Sequence, residues 1–556
     1  MPVVQANGSG TFSTKFSVPA GASVGTHRVG ATSATMSTGN GNNKLSGSVS
    51  ASAGFTVLLA LIVATSPTPK PTATSAPTSS SATTVSPTPV LTPAPTPTSA
   101  PVAMASPTPV PTQAPAPTAT PAPTNSTGAD VRAYGAIGDG AADDTAAIQA
   151  AFNAGTSDVF FPAGTYSITT ISIPATTGHV YGSGATIKQR SLGLNPFYVT
   201  GSRASTLTIE LLTFQGIPGT AYAGWNNGVY IFATSNVTVH NSTFTGFRLH
   251  GVFAENSQNI NVTDNTVYGV VGGIRYSGIQ GGSISRNTVR DPSTPDATFT
   301  IAIGLDSSAD RGFPNTTNIT VADNTVSNYV NAQAIMVHDG QHVTITGNVL
   351  NNVLIGVDLV GGGIAVVPGY LDKVDDITVS GNTYNGTLVP GPRGTFANAG
   401  IRLSGASDVH VTNVTVTNNQ VNDANAVLRE EVMAGIHLGY ADNATVTGNT
   451  IRRSYTAGIS LGNPNTNVSI KNNMILIVYA NTVDSPTGMR IGIYKTNYGG
   501  PTTGCASGNT IDTVSYVAGA YVPTTGLAIG PNTATNVASG AIFDPGNLTI
   551  SASGCP

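Results

Sequence analysis

Charge is scarce in this chain of 556 residues: Asp, Glu, Lys and Arg make 9% of it, and the formal net charge is -4. There is no basic stripe to neutralise phosphates or anionic lipid, so nucleic acid is not an expected partner. Cysteine is nearly missing. Only Cys505 and Cys555 occur, each after a Gly, and neither CxxC nor HExxH spacing is present, so no metal site is expected. The two thiols suit one bridge near the C-terminal end in an extracellular setting, with two unpaired thiols as the alternative. The apolar run Phe55 to Ala64 (FTVLLALIVA) falls short of the roughly 17 to 25 residues needed to cross hydrocarbon. It also lies too far into the chain to suit a signal sequence, so membrane insertion is not expected, with an anchor as the competing reading.

What the chain has in abundance is Thr, Ser, Asn and Gly beside Val and Ile, a mixture that suits strands and tight turns. From Asn236 to Thr510 one phrase recurs, as in NVTVHNSTF at 236, NITVADNTV at 318 and NATVTGNTI at 443. A second phrase answers it, as in GVFAE at 251, GIRYS at 273, GIRLS at 400 and GIHLG at 435. Without insertions the period is roughly 22 to 24 residues, and each unit carries short alternating runs that cannot bury their apolar faces alone. Such units must stack, and the pattern predicts an all-β parallel β-helix.

Three regions follow. Residues 1–65 include GTFSTKFSVPAGASVGTHRVGATSA (Gly10 to Ala34), which alternates like a hairpin and resembles the closing strands of bacterial immunoglobulin-like repeats. Phe55 to Ala64 is then the last strand of a partial β-sandwich that begins before Met1. Residues 66–127 are Pro, Thr, Ser and Ala in near-repeat, an extended disordered tether. Residues 128–556 are the β-helix, opened by a capping helix from Thr145 to Asn153 with Asp144 as its N-cap and Ile148, Ala151 and Phe152 on one face.

The opening segment resembles the N-terminal signature of the rhamnogalacturonase and epimerase-like pectate lyase superfamily: a strand at Val131 to Tyr134, GDG at 138 to 140, DDT at 143 to 145, and the FPxGxY strand at Phe161 to Tyr166. The resemblance implies a right-handed parallel β-helix whose side groove takes polysaccharide, in proteins that are monomers or homotrimers. Polygalacturonases of that superfamily carry NTD, DD, GHG and RIK motifs. This chain has no NTD and no GHG, a DD at Asp375 and Asp376 before a strand, and RIG at Arg490.

Stacking the first phrase aligns Asn265, Asn287, Asn324, Asn348, Asn382, Asn419, Asn449, Asn473 and Asn509 at one turn, where left-handed geometry and an amide ladder are expected. Stacking the second phrase projects one outward row through Tyr230, Phe253, Arg275, Gly304, Met336, Asp358, Arg402, His437, Ser460 and Tyr494, and a neighbouring one through Phe232, Glu255, Asp306 and His338. Asp306 and Asp358 stand two coils apart, roughly 10 Å, near the separation an inverting glycosidase needs. We expect Asp306 as general acid and Asp358 as base, with the roles exchangeable. His338 adjusts their protonation, Arg275 or Arg402 holds an acidic sugar, and Tyr230, Phe253, Glu255 and His437 complete the binding face. Asp339 and the loop residues Arg429, Glu430 and Glu431 are further candidates. No cofactor is expected. A lyase reading has Ca²⁺ on Asp358 with Asp306 or Glu255, and Arg402 as base. Two non-catalytic roles also suit a solenoid of this kind, a glycan-binding adhesin and a Thr-rich ice-binding face, the latter opposed by the irregularity of these outward rows. The setting expected for the enzyme is bacterial, secreted or at the cell surface.

Overall fold

The computed structural model describes residues 128–556 except 220–225, 294–299, 307–311, 331, 361–373, 387–398, 407–408, 425–433, 456, 480–489, 496–500, 521–525, 544–548 and 551–556, together with short strands between Thr26 and Leu58. In the N-terminal unit these strands form antiparallel pairs: Thr26–Arg28 with Thr56–Leu58, Gly30–Ala31 with Val49–Ser50, and Thr35–Gly39 with Asn42–Ser46. Most of the expected hairpin at 10–34 and all of the expected tether at 66–127 lie outside the described residues.

The C-terminal unit is a right-handed parallel β-helix. Through the repeat most strands pair in parallel with the strand three further on, one full coil later, so three sheets run side by side. Sheet A is built from the second phrase, as in His250–Glu255, Gly272–Ser277 and Ile301–Asp306. Sheet B is built from the first phrase, as in Gln258–Thr263 and Gly340–Thr346. Sheet C is the short strand after the asparagine turn, as in Thr266–Tyr268 and Thr325–Ser327. Alternation sends Ile274, Ile303, Ile335 and Val357 of sheet A, and Val262, Ile284, Val321 and Ile345 of sheet B, into the coil, where they are fully buried. Each contributes about 1.5 to 3 kcal/mol by leaving water.

At the amino end the helix Thr145–Asn153 (α1) closes the stack, with Ile148, Ala151 and Phe152 buried as the spacing predicts. Phe152 packs against Phe161 and Phe197 at 6.4 and 6.2 Å between ring centres. Asp144 holds the N-cap position as expected, but its side chain makes no capping hydrogen bond. The side chain that reaches the first helical residue is that of Asp143, its Oδ1 accepting from Thr145 N at 3.0 Å and Thr145 Oγ1 at 2.6 Å. Asp144 is buried and accepts from Ile137 N at 2.6 Å and Ser167 N at 3.2 Å, stitching the GDG loop to the neighbouring strand. Gly138 is required there: φ is +69° and a Cβ would sit 2.9 Å from the Tyr166 ring.

The turn between sheets B and C holds the ladder. In every step from Asn265 to Asn509, Oδ1 of the following asparagine accepts from both the backbone N and the Nδ2 of the one before it. Ser242 begins the column and Asn532 extends it by one coil. The left-handed residue is the one before each ladder asparagine, such as Asp264 (φ 60°), Asn418 (φ 55°) or Gly448 (φ 65°), and not the ladder residue itself. Turning the chain at that position frees the next side chain to point inward, where its amide meets the neighbouring coil. At the far end Cys505 is disulfide-bonded. Cys555, the only other cysteine, lies outside the described residues.

Replacing Asn382 by Leu should strand the buried Asn348 N, take one acceptor from Asn348 Nδ2 and one donor from Asn419 Oδ1, and free the carbonyls of Ile345 and Ser380 that Asn382 Nδ2 serves. At about 1 to 3 kcal/mol per stranded buried group, we expect a loss of at least about 3 kcal/mol, read as a lower urea midpoint.

Candidate functional site on sheet A

Register places the outward row as the alternation requires. Tyr230 pairs with Phe253, Phe253 with Arg275, Arg275 with Gly304, Gly304 with Met336, Met336 with Asp358, Asp358 with Arg402, and Arg402 with His437. The neighbouring row runs Phe232, Glu255, Ser277, Asp306, and His338 follows on the next coil, its N donating to Leu305 O. Insertions enter the chain where sheet C passes to sheet A and where sheet A passes to sheet B, and most of their residues lie outside the described ones.

The charged residues of the row are joined from coil to coil. Asp306 is held from both sides, by the Arg275 guanidinium on its Oδ2 and by His338 Nδ1 at 3.1 Å from its Oδ1. The Asp306 and Arg275 side chains remain 14% and 22% exposed. Asp358 differs. Its side chain is 0% exposed, Arg402 grips it with Nε at 2.8 Å and Nη2 at 2.7 Å, and Gln333 Nε2 lies at 3.3 Å. A carboxylate with both oxygens occupied and no contact with water cannot activate one, so the base role expected for Asp358 does not fit; it positions Arg402. The lyase set fails for the same reason: Arg402 is engaged by Asp358, and among the described residues no three His, Cys, Asp or Glu side chains gather as a metal site.

Of three other expected contacts, Glu255 and Phe253 are buried and His437 is half-buried. Glu255 is fully buried and accepts from the Tyr230 hydroxyl at 2.7 Å, so it orients that ring. Phe253 is 6% exposed and stacks beneath Tyr230 at 5.5 Å. His437 is bonded through Nδ1 to Ser460 Oγ at 2.8 Å. Burial, with the Arg402 and Lys495 charges adding to it, pulls its ring down to about 3, so it stands neutral. Asp339 is buried and accepts from Thr316 N at 3.2 Å. Asp375 and Asp376 belong to sheet B, where Asp375 accepts from Thr412 Oγ1 and Asp376 pairs with His342. Arg429, Glu430 and Glu431 lie outside the described residues.

Sequence reasoning passed over Tyr198, which pairs with Tyr230 one coil earlier and stacks on it at 5.5 Å and 17°. Its strand, FYVT at 197, lacks the glycine that flags the second phrase, although it aligns with VYIF at 229. Tyr198 and Tyr230, with Leu194, Asn195 and Thr170, line an open depression of ≈ 300 Å³. Lys495, buried with its Nζ on Gly462 O, was also missed; burial pulls it down to about 8. The partly exposed side chains of the face thus include Tyr198, Tyr230, Phe232, Arg275, Asp306, Met336 and His437, with the buried His338 bonded to Asp306.

The family described as right handed beta helix region matches residues 195–386 and 362–534. No curated protein matches the chain. Among solved structures, PfbA, a surface adhesin of Streptococcus pneumoniae, aligns over 63% of this chain and 92% of its own at 18% identity and a TM-score of 0.51. The N-terminal fragment of gene product 12 of bacteriophage Phi29 aligns over 73% of this chain and 71% of its own at 16% identity and a TM-score of 0.52. Both likenesses are of fold.

Asp358→Asn should behave as a broken buried pair, costing about 3 to 5 kcal/mol in unfolding free energy because Arg402 keeps its charge. In the unfolded chain His437 protonates near 6.5, whereas in the fold it does so near 3. Between those values only the unfolded chain binds the proton, so the stability contributed by the neutral ring is complete above about pH 6.5 and drains away toward pH 3. His437→Gln should flatten the fall in melting temperature between pH 6.5 and 4, leaving the contribution of His250, whose ring burial also holds well below its usual value.

Proposed function

Because the chain belongs to the right-handed β-helix family, we propose that sheet A is the working face of a secreted or surface-exposed protein that binds polysaccharide along the solenoid axis. The observation that carries this reading is the stacked pair Tyr198 and Tyr230 on consecutive coils, opening onto the ≈ 300 Å³ depression. Two rings repeating at the coil spacing offer apolar area to successive sugar rings while their hydroxyls stay wet. Further along the same face, Arg275 supplies a positive charge for an acidic sugar, held in place by Asp306. No helix among the described residues is long and apolar enough to cross a membrane. The disulfide at Cys505 supports an oxidising, extracellular setting. PfbA, described as a surface adhesin, has a similar fold, which supports the surface setting.

Hydrolysis is the second reading, and Asp306 favours it: of the two expected carboxylates it alone keeps solvent access, and His338 is bonded to it. In that reading Asp306 delivers the proton to the glycosidic oxygen, and the partner carboxylate is a residue other than Asp358.

The intact chain should be offered pectins, rhamnogalacturonans, alginate and neutral glucans in affinity gels. Retardation by at least one polymer, weakened about ten-fold in Tyr230→Ala at about 1.4 kcal/mol for the lost stacking, is the expected result. Indifference to every polymer would end the proposal. New reducing ends that disappear in Asp306→Asn would establish hydrolysis, and unsaturated ends would point to elimination instead.

A further inference from the structure

The outward face of sheet B is a two-column lattice of small, mostly hydroxyl side chains. Each strand presents residues i and i+2 on either side of a buried aliphatic, and the register carries this through seven consecutive coils without a shift. One column runs from Asn261 through Ser283, Thr344, Thr378 and Thr415 to Thr445. The other runs from Thr263 through Thr346, Ser380 and Thr417 to Thr447, with Ala322 as a gap in it. Neighbouring hydroxyls repeat at ~4.8 Å along the axis and about 7 Å along the strand, over a length of roughly 29 Å.

Three properties limit what this face can meet. Neither column carries a charge along this length: Glu210 and His240 lie before it and Lys471 after it. The columns hold no aromatic ring, so they have nothing to stack on a sugar. Their hydroxyls are available, because among the described residues those of Thr344, Thr378, Thr415, Thr417, Thr445 and Thr447 take no partner; within the second column Ser380 Oγ donates to Thr346 Oγ1 at 3.1 Å. The charges nearby stand at the borders, as in the exposed pairs Arg286–Asp264 and His342–Asp376, and a partner with rings finds nothing to stack on between them. Water finds its complement there.

Thr is stiff at χ1, so a column of it repeats one hydroxyl and one methyl in the same pose. Waters bonded to such hydroxyls acquire the lattice repeat, and the methyls between them hold the waters in place without competing for their hydrogen bonds. The edge toward sheet C is closed by the tight asparagine turn in every coil, so no inserted loop rises beside the lattice there. We infer that this face binds ice, whose surface oxygens repeat at spacings close to these two. The irregularity that opposes such a role on sheet A does not extend to sheet B.

The test is the growth of single ice crystals in solutions of the full chain, with the gap between melting and freezing points measured in the same droplets. Faceted crystals and a measurable gap are expected. The double variant Thr378→Lys/Thr415→Lys should abolish both while its circular dichroism melt stays with that of the parent; if that variant does not fold, Thr378→Lys alone serves. Tyr230→Ala should leave ice growth unchanged, which keeps failure here separate from failure of the polysaccharide reading. Rounded crystals and no gap in the parent chain, or full activity in the lysine variants, would overturn the inference.

Discussion

The buried column of asparagine amides is the constraint on which the molecule depends. A parallel coil has no hairpin to fix its register, and a slip of one residue would exchange its inward and outward faces. Each ladder Oδ1 takes two donors from the coil before it, and each Nδ2 also reaches backbone carbonyls, as Asn382 does to Ile345 O at 2.9 Å and Ser380 O at 3.2 Å. A misplaced coil would strand these groups in an apolar interior, at a cost that exceeds any gain from a shifted strand pair. The in-register aliphatic columns, the outward rows of sheet A and the hydroxyl lattice of sheet B are all consequences of that column.

Scarce charge is used economically. Most of the described ion pairs join one coil to the next: Arg286 to Asp264, Arg453 to Asp423, Arg402 to Asp358, Arg275 to Asp306, His342 to Asp376. In a solenoid, two residues separated by one period are neighbours, so a charge is neutralised most directly by the next coil. The same geometry would also assemble a catalytic group. A cluster of opposite charges on one face is therefore ambiguous until burial is known, and burial separates Asp358, sealed beneath Arg402, from Asp306, which still touches water.

Periodicity made much of this legible in the sequence. The repeat located the strands, the nine asparagines and the outward row of sheet A, and Ile148, Ala151 and Phe152 marked the capping helix. Roles within the turns were less legible, because Asp143 and Asp144 are chemically alike and only the loop's path decides which side chain reaches Thr145 and which one stitches. Burial on the outward face was not legible at all. Alternation separates in from out, but Glu255 and Asp358 point out of the coil and are still fully enclosed by their neighbours. Tyr198 escaped notice because the first coils lack the glycine that punctuates the later ones.

The interlocking of identical amides also bears on how such a protein can change in length. Since Asn348, Asn382 and Asn419 bond to their neighbours in the same way, the site between any two of them would accept a duplicated coil with no new chemistry. Each duplication would lengthen every face at once by about 4.8 Å, one rung of the stack. Growth by tandem copying is therefore open to this architecture in steps of a single coil, and both of its outward surfaces would scale together.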